Sequence, residues 1–442
     1  MQPVDDHTLQ ELQIVSEKYR EGSILNYFDR TRSQGGRDFL KNLIKLPKQS
    51  VSEILSVQEL LKALSEDVEL WEISVSRAYV AASESYYASN IAHTMSQDAI
   101  THYFETLIFF FRNPAEFYLI QSGLLATIKV LVALDELLRR IDGKKIPYLL
   151  KEKFEFLTNF FDSFVIKSLL KRKDKSLSKR YVFYLDYYFR KQEIKAFRML
   201  LDIYYSQDAY ISIVKSAEKN NLCYPDFLAE EACFQSTNIW HPLIPNAIKN
   251  DFLLNMQSGI CILTGANTSG KTTFLKTVGI VVYLAHLGWP VPAQKLSISF
   301  FDKLFTSIHL SDDLELGYSH FYNEIMRIKS IAETLHNGKK CFTIVDELFR
   351  GTNQEDSLHC SRTVLNGFSN FKNSTFIVST HLMELMDGYR QNPDFCFHCF
   401  KTNIEGNDFK NTFRLETGIA SEKVGRLILE KVGIPDLLNS RK

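Results

Sequence analysis

Four residues, Gly265, Gly270, Lys271 and Thr272, stand at the spacing G-x-x-x-x-G-K-[ST]. Such a loop turns its backbone N–H groups toward a nucleotide's phosphates. Gly265 and Gly270 let the backbone approach the anion, Lys271 pairs the β and γ phosphates, and the Thr272 hydroxyl ligates Mg²⁺. Asn267, Ser269 and Thr273 lie in or next to the same loop and are nucleotide-binding candidates. Further along, Asp346 and Glu347 form an acidic pair, and His381 follows a third apolar run. Asp346 is placed to hold Mg²⁺ through its water shell, and Glu347 to orient and deprotonate a water attacking a γ-phosphate. The chemistry these residues predict is ATP or GTP binding with hydrolysis, Glu347 and His381 being the catalytic candidates.

Each group needs an element to aim it. Residues from Gly259 to Thr264 read as a short buried strand, and a helix opens at Thr272, so the phosphates would rest on a helix N-terminus. The runs Cys341 to Val345 and Phe376 to Thr380 read as buried strands whose carboxyl ends deliver Asp346, Glu347 and His381. That is where ligands of open α/β sheets sit.

With 442 residues, the chain predicts two or three domains. Charged residues at 24% and hydrophobic residues at 45% exclude disordered and collagenous classes. Net charge is zero, so a polyanion would have to be met by a local patch. Seven cysteines and a polar, acidic N-terminus predict reduced thiols and a cytoplasmic protein. Leu119 to Leu134 is apolar but interrupted by Gln121, Ser122 and Lys129, which reads as a buried helix and not a membrane span.

Two textures divide the chain. Asp5 to Glu231 is dominated by helical periodicity, as in the stripe Leu124, Ile128, Leu131, Leu134, Leu138 and Ile141, with only Pro47, Pro114, Pro147 and Pro225 as proline breaks. From Trp240 onward, short β-branched and aromatic runs alternate with helical segments. The expected fold class is α + α/β: an all-helical domain over residues 1–235, then an ABC-type P-loop NTPase domain with a mainly parallel sheet over residues 236–442.

Phosphate loop, acidic pair and histidine come in the order that ABC-type ATPases have, and the details resemble one family. Thr264 to Thr273 is similar to the T-G-P-N-x-x-G-K-S-T of the MutS family of DNA mismatch-repair ATPases, with Ala266 in place of its proline and Asn267 kept. Asp346-Glu347 with Arg350, Gly351, Thr352 and Asp356 resembles D-E-x-x-R-G-T-x-x-x-D, and Ser379-Thr380-His381 resembles A-T-H. Asp312 to Glu324, with Gly317, Ser319 and Phe321, resembles D-D-L-x-x-G-x-S-T-F-x-x-E. More weakly, Ser23 to Leu40 looks like the start of the family's helical core, and Gly418 to Pro435 like its closing helical segment.

The resemblance implies a homodimeric ATP hydrolase using ATP and Mg²⁺. Ser319 would reach the nucleotide of the other subunit, the closing segment would contribute to the dimer interface, and ATP binding and hydrolysis would work as a switch in DNA mismatch repair or recombination-related processing. It also implies duplex, branched or damaged DNA, with repair proteins, as partners and no membrane. The family's mismatch-reading and connector domains are expected to be absent, since the chain opens on the core segment and has no Phe-x-Glu. A shortened helical lever is expected, its clamp reduced or absent.

One basic, aromatic tract is the sequence's candidate DNA contact: Lys167, Lys171, Arg172, Lys173, Lys175, Lys179, Arg180, Arg190, Lys191 and Lys195 interleave with Tyr181, Phe183, Tyr184, Tyr187, Tyr188 and Phe189. A solvated helix face over an aromatic core explains it equally well. Were its cations scattered or paired with carboxylates, an ATP-driven scaffold gripping a protein or ribonucleoprotein would gain. Cys396, His398 and Cys399 hint at metal, but strand alternation puts Cys399 on the opposite face from the other two, and structural thiols are the expectation.

Overall fold

The computed structural model describes all residues except 16–21, 90–95, 97, 172–176, 230–232, 309–319, 406–407, 421–428, 431 and 440–442. It is a protein of mixed helix and sheet. Contacts gather it into two compact units, one of Met1–Tyr27, Leu43–Gln58 and Ala217–Lys442, the other of Phe28–Asn42 and Glu59–Ser216. Texture alone suggested a single division near residue 235, whereas the contacts group two N-terminal stretches with the C-terminal residues.

Among the described residues, the first unit carries ten strands: β1 Asp226–Leu228, β2 Phe234–Ile239, β3 Asn250–Leu254, β4 Ile260–Gly265, β5 Lys295–Ser299, β6 Lys303–Ser307, β7 Cys341–Asp346, β8 Thr375–Ser379, β9 Phe395–Glu405 and β10 Asp408–Thr417. A six-stranded sheet runs β10-β9-β4-β8-β7-β6, parallel throughout except for β10 against β9. A four-stranded sheet runs β1-β5-β2-β3 with mixed pairing. β4 and β8 are buried along their whole length, and β7 up to its final residue. A strand covered on both faces reads as a continuous apolar run, not an alternating one.

Between β4 and β5 lies the helix Lys271–Leu287, buried from Val278 to its end. Its far end is fixed by two polar ties. Tyr283 donates its hydroxyl to Ile44 O at 2.7 Å. His286 Nδ1 lies 2.8 Å from Val282 O while Nε2 accepts from Phe301 N at 3.0 Å, so the proton sits on Nδ1. Burial pushes that imidazole down to about 3 and keeps it neutral. The helix Asp6–Glu11 is laced to the same unit. Glu11 accepts from Thr306 Oγ1 and Ile308 N, and Arg327 grips Asp5, Thr8 and Thr306 O.

The second unit is helical, with Arg77–Ala88, Ala99–Arg112, Pro114–Arg140, Lys151–Phe161 and Lys179–Tyr187 among its helices. The expected stripe on Pro114–Arg140 packs its core through Leu124, Ile128, Leu131 and Leu134, with Leu137 more deeply buried than Leu138. As one continuous 27-residue helix, with a window of mean hydropathy 1.8, this segment is long and apolar enough to cross a membrane, which its interrupted sequence did not suggest. In the fold, 61% of that window is buried within the protein. A buried polar network sits nearby in the unit: Asp186 accepts from Arg190 at 2.6 and 2.7 Å and from the Tyr86 hydroxyl, and His102 Nε2 lies 3.4 Å away.

Candidate functional site

β4 ends in Gly265, and the loop to Lys271 returns across the carboxyl edge of the sheet. Gly265 has φ +146° and Gly270 φ +106°. A Cβ on Gly265 would also stand 2.8 Å from Ser269 Oγ and 2.9 Å from Phe400 O, so shape and space both require glycine there. Lys271 is buried, and its Nζ donates to Gly265 O at 2.7 Å and Ala266 O at 3.1 Å. Burial pushes its pKa down, and the nearby carboxylates of Glu347 and Asp346 oppose that shift. Ser269 Oγ is buried and, among the described residues, has no hydrogen-bond partner. An orphaned hydroxyl beside a buried ammonium at a helix start fits an anion.

β7 and β8 supply the opposing groups. Asp346 Oδ2 accepts from Thr272 Oγ1 at 2.7 Å, and Oδ1 accepts from Ser379 Oγ, so the two expected Mg²⁺ holders already meet. Glu347 has φ +62°, a strained conformation for a side-chain-bearing residue, and its N–H is held by Ser379 Oγ at 3.0 Å. That turn aims its carboxylate at His381, with Oε1 2.7 Å from Nε2, while Arg350 Nε is 3.5 Å from Oε2. The His381 hydrogen bond chiefly holds the Glu347 carboxyl below its ordinary range, against the effect of burial. With Nε2 donating to Glu347, the 3.4 Å approach of Lys271 Nζ to the same nitrogen is a close pass of two donors, not a hydrogen bond.

Lys271, Thr272, Asp346, Glu347 and Arg350 border a cavity of about 760 Å³, and His381 is tied to it through Glu347. Its other wall was not foreseen as part of the site: Trp240, His241, Ile244 and Ile248, with Asn250 and Phe413, make an apolar and aromatic shelf. Lys249 Nζ lies 4.7 Å from the Trp240 ring, and burial, helped by the Lys276 charge, drives His241 down to about 4, leaving it neutral. Trp240 and His241 were visible in sequence only as the point where texture changes. Asn267 is exposed at the cavity mouth, and Thr273 lines it.

Ser319 lies outside the described residues, as do Asp312 to Gly317. The described end of that segment brings Phe321 against Phe349, their ring centroids 5.9 Å apart. Within the basic tract, Arg172, Lys173 and Lys175 are outside the described residues. Of the rest, Arg190 is buried on Asp186, Lys167 pairs with Asp162 at 2.9 Å, and Lys179 sits over the Phe110 ring. Phe183, Tyr188 and Phe189 are core residues. The tract is therefore in part a paired surface over an aromatic core.

Cys396 and His398 do share a face, and the fold adds Cys261 of β4 to it: the three ligating atoms all lie within 4.8 Å of one another. That third donor depends on β4 and β9 being neighbours, which spacing along the chain does not reveal.

A cation and two carboxylates converging at the carboxyl ends of parallel strands, beside a half-apolar cavity, make a candidate ligand site in a protein of mixed helix and sheet. Residues 261–441 match MutS domain V. The DNA mismatch repair protein MutS of Lachnoclostridium phytofermentans is 28% identical over 255 residues, which is 55% of this chain and 27% of that protein. Those of Thermotoga petrophila and Thermotoga maritima are each 28% identical over 205 residues, 46% of this chain and 26% of theirs. The chain belongs to the MutS family. The matched segment spans about a quarter of the length of these relatives.

Proposed function

We propose that this chain is an ATP hydrolase of the MutS type that works as a homodimeric switch in the processing of DNA, in the cytoplasm. The observation that carries the reading is the convergence of Lys271, Thr272, Asp346 and Glu347 at one rim of the cavity, with His381 on the Glu347 carboxylate. In this reading the loop from Gly265 to Gly270, with Asn267, Ser269 and Thr273, cradles the phosphates, and Lys271 exchanges its backbone carbonyl partners for phosphate oxygens. The shelf of Trp240, Ile244 and Phe413 takes the base. Thr272 and Asp346 would hold Mg²⁺, whose chemistry is to neutralise charge on the phosphates. Glu347, ionised and released from His381, takes the proton of the attacking water, and His381 senses the γ-phosphate side of the site. Ser319 would complete the site of the second subunit.

DNA is the partner favoured by the relatives' shared description as mismatch-repair proteins. The test is binding of Glu347→Ala protein, with and without ATP and Mg²⁺, to homoduplex, mismatched and four-way-junction DNA at two salt concentrations. Nucleotide-dependent, salt-sensitive binding is expected. A second reading is favoured by Arg190 and Lys167 being tied to carboxylates: an ATP-driven scaffold that grips a protein or ribonucleoprotein. Absence of binding to every DNA, with ATP hydrolysis by the wild-type protein intact, would select it.

A further inference from the structure

β4 and β9 run parallel in the register Cys261 to Cys396 and Leu263 to His398. Side chains alternate between faces along a strand. Ile260, Ile262 and Phe395 enter one apolar core, with Phe397 packed against it, so Cys261, Cys396 and His398 are left together on the other face. Cys261 is fully buried, and the other two are half-buried. Cys261 Sγ stands 3.7 Å from His398 Nδ1, and Cys396 Sγ stands 4.0 Å from Ser258 O. The His398 ring is braced edge-on by Phe252 at 5.4 Å, which fixes where Nδ1 points. None of these groups belongs to the cluster around Lys271 and Glu347.

We propose that Cys261, Cys396 and His398 form a binding site for a thiophilic, tetrahedral cation of the Zn(II) class, clipping β4 to β9 just upstream of Gly265. Two sulfurs and an imidazole are the donor set that such a cation selects over Mg²⁺ or Ca²⁺. With metal–sulfur bonds of about 2.3 Å and metal–nitrogen bonds of about 2.0 Å, a tetrahedral site has donor-to-donor edges of roughly 3.5 to 3.8 Å. The 3.7 Å edge already has that length, and no edge of the triangle exceeds 4.8 Å, so small side-chain rotations close it. The fourth ligand would be a water reaching the site from the side of the partly exposed Cys396 and His398. Binding takes both sulfurs as thiolates and releases their protons to solvent. Cys399, on the apolar face, is not a ligand.

The test is titration of metal-stripped, reduced full-length protein with Co(II), followed by competition with Zn(II). The expected result is one equivalent of Co(II) with a thiolate-to-cobalt charge-transfer band that Zn(II) erases. Cys396→Ser should abolish that band, His398→Gln should weaken binding at least about tenfold, and Cys399→Ser should change neither. Folding of each variant is checked by circular dichroism, and His398→Gln keeps the site testable if Cys396→Ser does not fold. Absence of a charge-transfer band in the wild type overturns the proposal. So does equal loss in Cys399→Ser, or air oxidation that yields a Cys261–Cys396 disulfide in protein that takes up no metal. ATP binding, measured in parallel, is expected to survive in Cys396→Ser, so failure of this site and failure of the nucleotide reading are separable.

Discussion

The two units use buried charge in opposite ways. In the helical unit, Asp186 is enclosed by Arg190, Tyr86 and His102 within the core, with Arg190 Nη1 and both His102 nitrogens buried without a hydrogen-bond partner among the described residues. In the unit built on strands, Lys271, Asp346 and Glu347 are equally close-set but border a cavity, and Lys271 spends its ammonium on the carbonyls of its own loop. A charged network sealed inside a core serves the fold, whereas one whose Lys271, Asp346 and Glu347 line an open volume is placed to meet something that enters. The contrast is sharp because both clusters contain a basic side chain, at least one carboxylate and a histidine.

The largest separation should come from Glu347→Gln, which removes the proposed base and leaves the proposed phosphate loop untouched. ATP turnover should fall by about 10²- to 10⁴-fold with nucleotide binding preserved, read by steady-state hydrolysis against equilibrium binding. Arg190→Ala is the counterpart in the closed cluster. It leaves Asp186 as an unpaired buried charge and should cost about 3–5 kcal/mol in urea denaturation. Lys271→Ala should lower turnover by about 10²- to 10³-fold while leaving the melting profile close to wild type. If it unfolds the protein as Arg190→Ala does, the distinction between the two clusters fails.

Smaller effects follow from pH. Glu347 is held below its ordinary value, so it is ionised, and competent as a base, until the pH falls through that depressed value. Removing the His381 hydrogen bond in His381→Ala should move the acid limb of the pH–rate profile upward. Asp5 offers a structural control. Burial opposes its ionisation, but the Arg327 hydrogen bond and charge prevail and bring it from 3.8 to about 2. A depressed carboxylate stabilises the fold above its unfolded value and loses that contribution as pH drops through the folded one. Acid unfolding between those two values should therefore be blunted in Arg327→Gln, by roughly 1 kcal/mol or less because Asp5 is partly exposed.

Much of the candidate site was legible because its residues are local in sequence. A glycine-spaced loop between an apolar run and a helix, and carboxylates at the end of Cys341 to Val345, state their geometry through adjacency. What depends on strand order was not legible. That Ser379 would hold both Asp346 and the Glu347 N–H follows from β7 pairing with β8. That Cys261 would join Cys396 and His398 follows from β4 pairing with β9. The Trp240 shelf was missed for a related reason, since Trp240 to Ile248 come from the segment between β2 and β3 of the other sheet, Asn250 from the start of β3 and Phe413 from β10. In the helical unit, periodicity gave the stripe on Pro114–Arg140, but nothing in the spacing of Asp186 and Arg190 announced that a helix-turn neighbour pair would be buried instead of solvated.

The most direct measurement of the central claim is ATP·Mg²⁺ binding and single-turnover hydrolysis by wild-type and Glu347→Gln protein side by side. The expected result is the same affinity for both and a chemical step lost only in the variant. Hydrolysis by Glu347→Gln at the wild-type rate, or no ATP binding by either protein, would contradict the account.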